Sequence, residues 1–96
     1  MMSDFTQVRA SHLLVDTEAE AQACRDQILA GTSFADVAKG VSKCPSRAKG
    51  GDLGFFGKGM MVREFEEVSF VLPVGEVSAP VKTQFGWHLL IVTDRK

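Results

Sequence analysis

The chain has almost no net charge. Eleven lysines and arginines stand against twelve aspartates and glutamates, a balance of -1 at pH 7. Nucleic-acid and anionic-membrane binders carry a basic excess, so neither partner is expected. Long apolar runs are missing as well, and no stretch approaches the roughly 20 residues that span a bilayer. Residues 1–7 are polar and mixed, which does not read as a secretory leader. Cysteine is scarce: there are two, too few for a disulfide framework, and Cys24 falls on a predicted helix face. Reduced thiols in a cytoplasmic setting are the expectation. The absence of C-x-x-C leaves a thioredoxin-type site unsupported. Internal repeats, low-complexity tails and linkers are not seen.

What is present fits one small soluble domain. With 96 residues, 45% of them hydrophobic and 24% charged, the chain can bury a thin core. Residues 7 to 15, "QVRASHLLV", alternate and predict a strand with Val8, Ala10, His12 and Leu14 on one face. Thr17 and Glu20 form a capping box for a helix to about Ala30, with Ala21, Cys24 and Ile28 as its stripe and Gly31 as its stop. Ser33 caps a second helix with the stripe Phe34, Val37, Ala38 and Val41. A brief helical turn fits Ser46 to Ala48, and "LGFF" fits a short strand closed by Gly57. Residues 61 to 70 predict a third helix aligning Met61, Phe65 and Val68, ending before Pro73. "EVSAPVKTQF" and "WHLLIVTD" predict two strands around a turn at Phe85-Gly86. The last strand is apolar on both faces, with His88, Leu90 and Val92 opposite Trp87, Leu89 and Ile91, which suits a central strand. The order implies an α+β domain on a small, mostly antiparallel sheet.

Residues 43 to 61, "KCPSRAKGGDLGFFGKGMM", hold five of the nine glycines, four of the eleven basic residues and two of the four methionines. They do not follow the G-x-x-x-x-G-K-[ST] order of a phosphate loop. Glycine there supplies backbone angles that other residues avoid. Leu53, Met61, Phe65 and Phe70 gather around this loop, as plain core or as an apolar pocket.

Chemistry rests on few groups. His12 and His88, the only histidines, both lie mid-strand among apolar neighbours. If the first and last strands are adjacent, the rings can hydrogen-bond each other, as a satisfied core pair or as catalytic groups. Cys44 could work with a histidine as a nucleophile. Two histidines and a cysteine lack a fourth zinc ligand and match no zinc spacing.

Together, "ASHLLV", "SKCPSRAKGGDLGFFGKGMMVREFEEVSF" and "LPVGEVSAPVKTQFGWHLLIV" resemble the parvulin family of peptidyl-prolyl cis/trans isomerases, from about Val8 to Asp94. The motifs are a first-strand histidine, S-x-C-P-S, G-G-D-L-G, M-V-x-x-F, V-G-E-V-S-x-P-V and F-G-W-H. The resemblance implies a four-stranded antiparallel sheet ringed by about four helices. It makes residues 1–96 one stand-alone monomeric domain without targeting or partner modules. It implies that His12 and His88 are the paired histidines under the active site, with Thr83 beside them. Cys44 matches a position that holds cysteine in some members and aspartate in others. Leu53, Met61, Phe65 and Phe70 match the proline pocket, with Phe85 near it. The activity implied is isomerisation of X-Pro bonds in unfolded or flexible polypeptides, without cofactor or metal. Members that require a phosphoresidue before proline carry a basic cluster after the first strand. This chain has Asp16, Glu18 and Glu20 there, so a general folding isomerase is expected. A chaperone-like peptide binder using the same groove is the alternative. A redox enzyme built on Cys44 is a distant third.

Overall fold

The computed structural model describes residues 6–96. The first five, read above as polar and unlike a leader, lie outside the described residues. The elements run β1 (Gln7–Val15), α1 (Glu18–Leu29), α2 (Phe34–Val41), a 3-10 turn (Pro45–Lys49), β2 (Asp52–Gly57), α3 (Arg63–Val71), β3 (Val81–Thr83) and β4 (Gly86–Arg95). The sheet has the order β2-β1-β4-β3, with every pairing antiparallel. Three α-helices and one 3-10 turn surround it, which matches the expected α+β class.

Strand alternation sorts side chains into two cores. Leu13, Val15 and Leu89 face α1 and α2, where they bury Ala21, Cys24, Phe34, Val37 and Ala38. Val8, Ala10, Leu90 and Val92 face the other way, against Phe56 and Phe65. β1 and β4 are central strands between two hydrophobic layers, so both of their faces must be apolar. The two histidines belong to the second face by parity.

Local signals explain most boundaries. The Glu20 N–H donates to Thr17 Oγ1 at 3.2 Å, and the Asp36 N–H donates to Ser33 Oγ at 3.1 Å. The capping box is variant: the Thr17 hydroxyl, not its backbone amide, meets Glu20 Oε1 at 3.1 Å. α3 ends at Leu72, held extended before Pro73.

Three expectations need correction. Val41 is 42% exposed and does not complete the α2 stripe, because the chain leaves the helix at Ser42. α3 starts at Arg63, so Met61 lies on the approach to the helix and not in it. The strand expected over residues 76–85 shrinks to Val81–Thr83 plus a bridge from Val77 to Ile91. Pro80 has no N–H for the ladder. Ser78 compensates: its backbone N–H donates to Leu90 O at 2.8 Å, and its Oγ accepts the Leu90 N–H at 3.0 Å.

Gly51 fixes the approach of β2 to β1. Its φ is 88°, and a Cβ there would stand 2.2 Å from the His12 carbonyl oxygen. The His12 N–H donates to Gly51 O at 3.0 Å. A side chain would push the two backbones apart behind the histidine.

Candidate active site

Cys44 is brought to His12 by the end of α2. Ser42 is buried, and its Oγ accepts the Leu14 N–H at 3.1 Å and the Cys44 N–H at 3.3 Å. The Lys43 N–H donates to Leu14 O at 2.9 Å. These bonds stitch residues 42–44 onto the end of β1 and aim Cys44 at the ring two residues back along the strand.

His12 and His88 meet because β1 and β4 are neighbours, with His12 opposite Leu90 and Leu14 opposite His88. Their Nδ1 atoms lie 3.2 Å apart, and the rings stack at 5.3 Å with a 17° tilt. On the outer side, His12 Nε2 is 3.2 Å from Cys44 Sγ. On the inner side, His88 Nε2 is 2.8 Å from Thr83 Oγ1, which also accepts the Phe85 N–H at 3.2 Å. The four side chains form one row, Cys44–His12–His88–Thr83.

Both rings are driven towards the neutral form. Burial, and then the nearby His88, lower the His12 pKa from 6.5 to about 4. Burial lowers that of His88. A neutral imidazole has one donor and one acceptor nitrogen. Only one of the facing Nδ1 atoms can therefore carry hydrogen. Two registers satisfy the row. In one, Thr83 donates to His88, His88 to His12, and His12 to the Cys44 sulfur. In the other, the sequence runs backwards from the Cys44 S–H.

Above the row lies a cavity of about 360 Å³. Leu53, Met61, Val62, Phe65, Phe85, Leu14 and Pro45 form its apolar wall, with Lys43 on its lining and Cys44, His12 and His88 on the polar side. The Phe65 ring stands nearly perpendicular to both imidazoles, at 5.5 Å from His12 and 6.1 Å from His88 between centroids. Among the described residues, no group of three or more metal-binding side chains clusters. No helix among them is long and apolar enough to cross a membrane.

Of the residues expected at the site, His12, Cys44, His88, Leu53, Met61, Phe65 and Phe85 line the cavity, and Thr83 ends the row behind it. Phe70 does not line it. Its ring packs against Phe56 at 6.3 Å, with Lys58 Nζ 5.6 Å from its centroid. Five residues along a helix turn by about 140°, so Phe65 and Phe70 cannot share a wall. Leu14, Ser42, Lys43, Pro45 and Val62 were given no role at the site, although all but Leu14 lie in the S-x-C-P-S and M-V-x-x-F stretches. Leu14 was accessible from its parity with His12, and Ser42 opens the S-x-C-P-S motif, which by itself gave it no role.

Residues 6–94 match the profile of the family described as Rotamase, PPIC-type PPIASE domain. The chain belongs to the PPIC-type rotamase family. Among similar proteins, the foldase protein PrsA of Halalkalibacterium halodurans is 50% identical over 91 residues, covering 94% of this chain and 27% of that protein. The crystal structure of the peptidylprolyl isomerase PrsA from Bacillus cereus superposes with a TM-score of 0.92 at 43% identity, covering 96% of this chain and 36% of that one. The solution structure of NmPin, the parvulin of Nitrosopumilus maritimus, superposes with a TM-score of 0.87 at 40% identity, covering 96% and 100%. The rotamase domain described here spans about a third or less of the length of the curated PrsA relatives it matches, 27% in the first and 33% in a Geobacillus protein.

Proposed function

We propose that this rotamase domain isomerises X-Pro peptide bonds in flexible polypeptides. The observation that carries the reading is an apolar cavity closed on one side by a neutral, hydrogen-bonded Cys44–His12–His88–Thr83 row. Rotation about the amide breaks no covalent bond. It must overcome resonance worth roughly 18–20 kcal/mol. A catalyst therefore has to bind the twisted amide better than either planar form. The twisted amide is less conjugated and less polar across the C–N bond, so a dry apolar wall favours it. Leu53, Met61 and Phe65 supply that wall for the proline ring. Cys44 and His12 supply the polar edge. No step needs a metal or a cofactor.

No phosphate before proline is required in this reading. Asp16, Glu18 and Glu20 occupy the segment after β1, and the Lys43 ammonium is paired with Asp16. The two free cysteines, Cys24 and Cys44, suit a reducing, cytoplasmic setting. Burial of both faces of the sheet within one chain suits a monomer.

The test is exchange NMR on a short unphosphorylated Ala-Pro peptide. Faster cis/trans exchange with folded protein supports the enzyme. Background rates with measurable binding would favour the alternative, a peptide-holding module. That second reading has some support in a similar protein described as the chaperone SurA of Chromobacterium violaceum, 46% identical over 99 aligned positions.

A further inference from the structure

Among the described residues that line the cavity, Lys43 is the one side chain that stays charged at neutral pH. It is not free. Its Nζ meets Asp16 Oδ2 at 2.5 Å, and both side chains are more than half exposed, at 54% and 63%. The pairing follows from topology. Lys43 is bonded through its backbone to Leu14, and Asp16 lies two residues further along, where β1 gives way to the turn before α1.

The pair is not needed to hold the fold. Exposed ion pairs contribute little stability. The backbone bond from Lys43 to Leu14 and the two bonds to Ser42 already fix the segment. What the pair changes is the charge at the cavity mouth. A proline ring seated in the cavity carries its flanking residue about 3.8 Å away, Cα to Cα. Lys43 lines the same cavity, and physiological salt screens charges strongly only beyond about 8 Å.

We propose that Asp16 is a specificity-determining residue: by neutralising Lys43 at the rim, it makes the site indifferent to acidic residues beside the substrate proline. Lys43 without Asp16 selects an acidic flank, and Asp16 without Lys43 rejects one. This inference rests on the isomerase reading above and deepens it.

The test compares two peptides, Ala-Glu-Pro-Phe and Ala-Gln-Pro-Phe, by kcat/KM from exchange NMR and by Kd from chemical-shift titration. For the native protein, the Glu to Gln ratio is expected to lie within about twofold of one. Asp16→Asn should raise it about fivefold, equal to about 1 kcal/mol. Lys43→Gln should lower it below the native ratio. The double variant should return near the native ratio, and high salt should shrink each change. A ratio unmoved in both single variants would overturn the proposal. So would an equal loss on both peptides, which would make the pair a strut only. If no peptide is turned over but the Kd ratios shift as stated, the isomerase reading fails and the role of Asp16 stands.

Discussion

The Nδ1 atoms of His12 and His88 face each other at 3.2 Å, in rings buried to 7% and 4% exposure. That contact requires one ring to donate and the other to accept: a single imidazolium can still donate to the neutral ring, but a second proton puts hydrogen on both facing Nδ1 atoms, breaks the bond and opposes two buried cations. The stability of the fold is therefore tied to the neutral pair.

Acidification should unfold the protein through these rings. The unfolded chain takes up histidine protons near pH 6.5, while folded His12 resists until about pH 4. Between those values the unfolded state holds more protons, so stability is full above pH 6.5 and falls as pH drops towards 4. The slope is at most about 1.4 kcal/mol per pH unit for each histidine. Asp52, held low by Arg9, contributes its loss only below the ordinary carboxylate range. Urea midpoints at pH 7 and pH 5 check this, and His12→Gln should flatten the slope. Equal midpoints at both pH values in the native protein would refute it.

Gly51→Ala should lower the melting temperature by about 5 °C or more. The new methyl stands on the His12 carbonyl at a positive φ, a strain of about 1–3 kcal/mol, and each kcal/mol moves a domain of this size by about 4–8 °C. Because the displaced backbone carries His12, the histidine resonances should shift too. An unchanged melting curve would show that β2 yields without cost.

Truncating Phe65 and Met61 should separate stability from binding. Phe65 is 3% exposed and sits in the second core as well as on the cavity wall. Its burial is that of a core residue, not of a half-open wall. Phe65→Ala should cost about 3–5 kcal/mol, enough to endanger folding. Phe65→Leu keeps the core filled and should weaken peptide affinity. Met61 is only partly buried and lies outside α3, so Met61→Ala should raise the peptide Kd with a small change in melting temperature. Native affinity in both Phe65→Leu and Met61→Ala would remove the proline from this wall.

Cys44→Ser and Cys44→Asp should retain part of the activity. Each keeps a polar atom near His12 Nε2, now 3.2 Å from sulfur, and the reaction needs no covalent intermediate. The measurement is kcat/KM on an Ala-Pro peptide with folding checked by NMR. Complete loss in both folded variants would demand nucleophilic catalysis.

A phosphoserine before proline should not improve kcat/KM. Its charge of about -1.5 to -2 needs arginines or lysines arranged around it. Lys43 is engaged with Asp16, and Lys58 lies over the Phe70 ring. Arg47 and Lys49 on the 3-10 turn offer only diffuse attraction, which salt screens. A phosphate preference of tenfold or more that survives physiological salt would overturn this.

The sequence by itself determined the local units. Period-2 alternation defined β1 and β4 and their two faces, and Thr17, Ser33 and Pro73 marked helix ends through hydrogen bonds and backbone limits that act within a few residues. The motif run from His12 to His88 also carried the family, and with it most of the cavity. Tertiary structure decided what depends on distances between residues far apart in the chain. Whether the histidines touch depended on β1 lying beside β4, 76 positions away. That Phe70 leaves the pocket depended on how α3 is rotated against the sheet, and Phe65's burial on Phe56 packing behind it. The pairing of Lys43 with Asp16 came from stitching the end of α2 onto β1. Local periodicity fixes which side of an element is apolar. Only packing fixes what that side meets, because the burial of one element is completed by atoms contributed from another.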